Sequence, residues 1–179
     1  MTIDKSALRD AATVILYRDG GEGVEVLMGQ RGAKAAFMPN KFVFPGGAVD
    51  PADSQVSLAA GPDPRCAARL CAEVDEDRTE ALLAAGIREL WEETGLILGG
   101  PGTWPGSVPE GWEGFAEAGY LPSAEGMRFV YRAITPPGRP RRFDARFFLI
   151  RATRVVGDAD DFSRASDELS LLQWIPLTQ

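Results

Sequence analysis

Histidine is absent from all 179 residues. Neither a Ser-His nor a Cys-His nucleophilic pair can be built without it, and His-ligated zinc is excluded. Cysteine occurs twice, at Cys66 and Cys71. Two are too few for a disulfide framework, and their spacing fits no common zinc motif. A reducing, cytoplasmic setting is the simplest expectation. Basic charge is in deficit: 19 Lys and Arg stand against 26 Asp and Glu, for a net charge of −7. Such a chain repels polyanions at long range, which argues against nucleic acid as a partner. A small anionic substrate must therefore be met by a cation or by clustered arginines. No apolar run approaches the roughly 18 residues of a membrane span. The opening MTIDKSALRDAA has no apolar h-region, which argues against a signal peptide. No membrane partner is expected.

What is present suits one globular domain. Apolar residues make up 45% and charged residues 25%, an ordinary balance, and the length suits a single core. Residues 12–17, ATVILY, read as a buried strand, and 24–31, VEVLMGQR, as a second. The polar turn 18–23 between them makes a hairpin. Residues 42–44 read as a short strand running into the tight turn Pro45-Gly46-Gly47. Residues 51–64 read as loop, 65–74 as a short helix, 98–109 as loop, and 110–118 as one or two helical turns. Residues 127–134, 143–152 and 169–175 read as strands. The strongest periodicity lies over 78–94, where Leu83, Ile87, Leu90 and Trp91 recur at helical steps. Gly95 follows as a helix terminator should. Strands at both ends with the main helix between them imply an α+β layered fold.

The chemistry concentrates in that helix. Glu89, Glu92 and Glu93 are spaced i, i+3, i+4, so a helix projects all three from one face. Like charges that close repel, and near a helix C-terminus the macrodipole disfavours them further. A solvated acidic face is the plain alternative. A divalent cation relieves the repulsion, and magnesium or manganese (Mg2+ or Mn2+) suits an all-oxygen donor set. Leu83, Ile87 and Leu90 take the opposite side.

Residues 88–96, Arg-Glu-Leu-Trp-Glu-Glu-Thr-Gly-Leu, resemble the REUxEExGU half of the Nudix box at every defined position, where U is a bulky aliphatic. Gly46 and Gly47 resemble the glycine pair that opens the box. The family pattern then has five residues and a glutamate; here the sixth position after Gly47 is Asp53. The family has seven residues before the arginine, whereas 34 separate Asp53 from Arg88, so the resemblance implies an insertion over about 54–80. Such an insertion is thermodynamically cheap, because loop-closure entropy grows only logarithmically with length. The fold implied is the Nudix fold, a mixed β-sheet sandwiched between helices. That family commonly closes with a helix. The sequence stops at Pro176-Leu177-Thr178-Gln179, so the resemblance implies that this helix is truncated or lacking, with the chain a monomer or a homodimer that completes the pocket wall.

The resemblance also implies roles. Glu89, Glu92 and Glu93, with the backbone carbonyl of Gly46, are the implied metal ligands. Arg88 is the implied partner that orients a neighbouring carboxylate. The water-activating base is either Glu89 or Glu168, the latter in Ser166-Asp167-Glu168 before the last strand. The reaction implied is attack of water on one phosphorus of a P–O–P linkage. Phe37-Met38-Pro39 with Phe42 through Asp50 resembles the peroxisomal acyl-CoA diphosphatase subgroup, whose members also carry a long insertion inside the box. The expected substrate is therefore CoA or acyl-CoA, giving 3′,5′-ADP and (acyl-)phosphopantetheine. The signature of other CoA-cleaving members matches at Leu27, Arg31 and the FPGG turn, and departs at Gly32, Ala36 and Asn40. Arg31, Phe37, Gly47, Arg141 and Arg142 are the substrate-binding candidates. Arg139, Arg141, Arg142 and Arg146 form a basic cluster in sequence, and arginine suits phosphate. Phe37 and Trp112 are candidates to stack on an adenine. The alternatives are an ADP-ribose, nucleotide-sugar or other nucleotide pyrophosphatase, and, in a different class, a non-catalytic Nudix-fold module that binds a ligand. An acidic scaffold with no site is a third.

Overall fold

A computed structural model of the chain describes residues 7–32, 40–72, 74 and 76–177. Strand β1 (Leu8–Gly20) and strand β2 (Gly23–Arg31) form the expected hairpin. The turn is tighter than its polar sequence suggests. Pairing runs to Gly20 opposite Gly23, leaving only Gly21 and Glu22 at the tip. Arg18 and Glu25 face each other across it and pair at 2.8 Å, so polar residues read as turn are held in strand.

Strand β1 divides one of its edges between two partners. Residues Ala11 to Thr13 pair with β4 (Gly46–Ala48), and residues 17–20 pair with β2. Its other edge runs parallel to β8 (Arg142–Arg151) over the whole register from Leu8 opposite Arg142 to Tyr17 opposite Arg151. Strand β3 (Phe42–Val43) and β9 (Leu169–Pro176) flank β2, and β7 (Arg128–Ile134) closes the far edge beside β8. The result is the expected α+β arrangement on a mixed sheet.

The segment 51–64 is more ordered than its composition suggests. A 3-10 turn spans Pro51–Gln55, with the Asp50 amide donating to the Asp53 carboxylate. Helix α1 (Pro64–Cys71) follows, capped by Asp63, and ends three residues short of expectation. Helix α2 (Glu76–Thr94) carries the box half and packs on β1, whose Ala12, Val14 and Leu16 are fully buried. Leu83, Ile87 and Leu90 face that core, as their spacing requires; each such side chain contributes roughly 1.5–3 kcal/mol on burial. Gly95 ends the helix with φ 77. Beyond it, β5 (Gly99–Pro101) pairs with β6 (Tyr120–Pro122) around α3 (Glu113–Glu117). Strand β5, built on glycine and proline, carries no alternation and lies within the 98–109 segment expected to be loop. No helix among the described residues is long and apolar enough to cross a membrane.

Gly86, in the middle of α2, offers a test of this packing. A Cβ there would meet Val14, Ala12 and Met127 at 3.4–3.6 Å, ordinary contact distance. Gly86→Ala is therefore expected to raise stability by about 0.5–1 kcal/mol, the helix-propensity difference, as read by urea denaturation. A loss of stability would mean that α2 and β1 sit closer than this contact allows.

Candidate active site

The site is assembled where α2 passes the glycine turn. Arg88 is 4% exposed and its guanidinium organises the surroundings. Its Nε and Nη2 grip both oxygens of Asp53, at 2.9 and 3.0 Å. Nη2 also donates to the Ala48 carbonyl at 3.0 Å. Nη1 donates to Glu89 at 3.0 Å and to Glu92 at 2.9 Å. One side chain thus ties together the 3-10 turn, β4 and two of the three box carboxylates. Burial opposes its charge, but Asp53, Glu89 and Glu92 outweigh that, so its pKa lies above the ordinary arginine value.

The third carboxylate is held by backbone. Gly46 N–H donates to Glu93 Oε2 at 2.8 Å. Gly47 lies against Glu89, and a Cβ there would overlap the Glu89 carboxylate. Gly47 is needed for this close approach, and Gly46 for the approach to β1, where a Cβ would overlap the Ala12 carbonyl. The expected ligands Glu89, Glu92 and Glu93 therefore sit on one stripe beside Gly46 and Gly47.

Their electrostatics are unusual. Burial pushes Glu89 up to about 7 against the pull of Arg88, with Glu92 and Glu168 adding to the rise. Burial pushes Glu93 up to about 8 against the Gly46 amide, with Glu89 and Glu168 adding. Glu92 is also raised, again first by burial. The donor set fits a hard divalent cation: all donors are oxygen, and the missing Gly47 side chain leaves the Glu89 carboxylate room beside the turn. Among the described residues no three acidic, His or Cys side chains are gathered tightly enough to hold a metal as they stand.

Arg31 and Glu168 lie beside this group. Arg31 Nη2 donates to Glu168 at 3.2 Å, both act electrostatically on Glu93, and Glu168 acts on Glu89 as well. The Ser166 amide donates to the Glu92 carbonyl at 3.1 Å, which docks the Glu168 loop on the end of α2. Phe37 lies outside the described residues. Arg141 and Arg142 are not brought to the carboxylates. Arg142 pairs with Leu8, whereas Gly47 pairs with Ala12, four positions further along β1, or about 13 Å at ~3.3 Å per residue.

Two expectations need correction. The basic cluster does not act as one. Arg146 is 1% exposed and pairs with Asp10 and Asp144 inside the sheet, because its strand position faces the core. Trp112 is not a stacking surface for a base. It is fully buried, packed edge-on against Phe115 with ring centroids 5.3 Å apart, and its indole N–H donates to Asp53 at 3.2 Å. The position of Asp53 in the box pattern was legible, but its four donors were not, since they come from residues 50, 88 and 112.

Comparison with known proteins bears on this geometry. The NUDIX domain family matches residues 7–179. Nudix hydrolase 7 of Caenorhabditis elegans is 30% identical over 190 residues, covering 95% of this chain and 52% of that protein. The chain thus spans about half the length of this curated relative. A NUDIX hydrolase of Alicyclobacillus acidocaldarius has a crystal structure that superposes with a TM-score of 0.72 at 30% identity, covering 96% of this chain and 80% of that one. The NUDIX domain of Shewanella oneidensis NrtR, solved with ADP ribose, has a TM-score of 0.51 at 14% identity, covering 96% and 74%, a likeness of fold alone. With a glycine turn and an arginine set against the helix carboxylates inside a family match of nearly full length, the chain belongs to the NUDIX domain family.

Proposed function

We propose that this chain hydrolyses the pyrophosphate bond of a nucleoside diphosphate linked to a second moiety, with CoA or acyl-CoA as substrate and 3′,5′-ADP and (acyl-)phosphopantetheine as products. The observation that carries the hydrolytic reading is the Arg88 clasp. It draws the Gly46-Gly47 turn and the acidic stripe together although 34 residues lie between Asp53 and Arg88. The stretch at about 54–80 within them is read as an insertion, within one domain spanning the chain. Glu89, Glu92, Glu93 and the Gly46 carbonyl would hold Mg2+ or Mn2+. The cation, when bound, would polarise the phosphate oxygens and lower the pKa of the attacking water.

The chain's own residues do the rest. Arg88 fixes the rotamers of Glu89 and Glu92, and the Gly46 amide fixes Glu93. Such supporting bonds orient metal ligands and tune their basicity. Glu89, held near pH 7, is suited to accept a proton at neutral pH. Glu168 is the second candidate base, carried beside the carboxylates by its contact with Arg31. Arg31 and Gly47 would face the diphosphate. Arg141 and Arg142, on the β7–β8 hairpin, would meet the far end of a long substrate; Phe37 is a further substrate-binding candidate on the resemblance alone. The CoA assignment is supported by the resemblance of Phe42 through Asp50 and by the long gap within the box. The complete acidic trio favours catalysis over a module that only binds its ligand.

The test is a hydrolysis panel of CoA, acyl-CoA, ADP-ribose, NADH and nucleotides with Mg2+ and with Mn2+, resolved by chromatography of the products. The expected outcome is metal-dependent release of 3′,5′-ADP, with CoA or its thioesters turned over fastest. Faster turnover of ADP-ribose overturns the CoA assignment. No hydrolysis of any diphosphate with either metal overturns the hydrolytic reading itself.

A further inference from the structure

Trp112 lies outside the box, 17 residues beyond Gly95, yet its indole reaches the box's buried centre. Asp53 is wholly buried and its two oxygens take four donors. Oδ1 accepts from Arg88 Nε and from Trp112 Nε1; Oδ2 accepts from Arg88 Nη2 and from the Asp50 amide. Among the described residues, Trp112 thus supplies the one side-chain donor that does not come from Arg88. The indole is itself immobilised. Phe115 packs edge-on against it, Trp104 lies tilted at 5.8 Å, and the Trp112 amide donates to the Pro109 carbonyl. Gly111, at φ 85, turns the chain directly before it and passes Arg88 Cδ and Glu92 at 3.9 Å from a Cβ position.

We propose that Trp112 is a positioning residue for the acidic stripe: its N–H fixes Asp53, Asp53 fixes the Arg88 guanidinium, and Arg88 fixes Glu89 and Glu92. The box position held by Asp53 is a glutamate in the pattern that this chain resembles. Aspartate is one methylene shorter, and a carboxylate set back by that distance is free to tilt unless a further donor pins it. The Asp50 amide pins Oδ2, and the indole N–H pins Oδ1. The chain of contacts runs from a loop beyond the helix into the centre of the box, and it makes the segment 102–112 part of the site's scaffolding. The inference rests on the proposed metal-binding role of the stripe.

Trp112→Phe keeps an aromatic ring in the cluster and deletes only the donor. Manganese affinity is measured on the metal-free protein by calorimetry and by the paramagnetic signal of free Mn2+, beside thermal unfolding of the same samples. Loss of a partner that orients a ligand typically weakens metal affinity about 10–100-fold, and about tenfold is expected here. Phe115→Leu, which disturbs the same cluster without touching Asp53, is expected to lower the unfolding temperature at least as much while leaving the manganese affinity within twofold. In an Asp53→Ala background, where the indole has no acceptor, Trp112→Phe is expected to cost nothing further. Equal manganese affinity in wild type and Trp112→Phe overturns the proposal while leaving the metal site standing. Parallel losses of affinity in Trp112→Phe and Phe115→Leu overturn it as well, since packing alone then explains both. Wild-type protein that binds no manganese overturns the metal-site reading, and this inference with it.

Discussion

Glu93→Gln is expected to lower metal-dependent turnover about a thousandfold, since a ligand of the proposed kind contributes several kcal/mol to the transition state and each ~1.4 kcal/mol is a factor of ten. The same substitution is expected to stabilise the metal-free protein at alkaline pH. Burial raises Glu93 from its ordinary 4.5 to about 8. The folded state therefore holds this proton more tightly than the unfolded state does. The associated stability is complete below about 4.5 and is lost as pH rises through about 8. In chelator-treated wild type the unfolding temperature should fall across that window. In Glu93→Gln the fall should be shallower, with the part owed to Glu89 remaining. Magnesium should restore the wild type more at pH 8 than at pH 6 and do little for the variant. Calorimetric scans across pH, with and without metal, give both answers. Turnover near the wild-type rate would remove Glu93 from the site, and parallel pH profiles would remove the buried charge.

Arg88→Leu should be the most destabilising single change in the site. The guanidinium is buried and serves four side-chain or backbone acceptors. Removing it strands Asp53, which has no exposure to solvent. Breaking a buried ion pair from one side costs roughly 3–5 kcal/mol, because the remaining charge is uncompensated. For a chain of this size that corresponds to a fall in unfolding temperature on the order of 10 °C. Adding Asp53→Asn to Arg88→Leu should recover part of the loss in urea titrations, since the stranded charge is then gone. A double variant no more stable than Arg88→Leu would show that the cost lies in packing rather than in the charge of Asp53. Activity should be lost in both, because Glu89 and Glu92 lose their anchor.

The local pattern of this fold was readable along the chain, and the long-range contacts were not. Helical steps at Leu83, Ile87 and Leu90 placed the core face of α2, and with it the acidic stripe on the other side. Alternation placed β7 and β8. Arg18 has the polarity of a turn, but its ion pair with Glu25 lets the residue continue the strand. Strands β5 and β6 have too few residues to show a period. Sequence also gave no sign that Arg146 is buried, because nothing local distinguishes it from Arg141 or Arg142. Only the register with β1, which sets it beside Asp10, does so. The partnership of Trp112 with Asp53 spans 59 positions and no spacing rule reaches that far. Asp53 in place of glutamate was visible as a departure, and the indole donor is its structural counterpart.

Strand β1 lends successive stretches of one edge to the glycine turn and to β2, while its inward alanine, valine and leucine bear the weight of α2. The pocket floor and the hydrophobic interior are therefore two sides of a single beam. A loop-borne pocket can come loose while the body of a protein stays intact. Here the glycine turn is itself a strand paired with β1 from Ala11 to Thr13, so heat or denaturant should take away the chemistry and the architecture in one cooperative event.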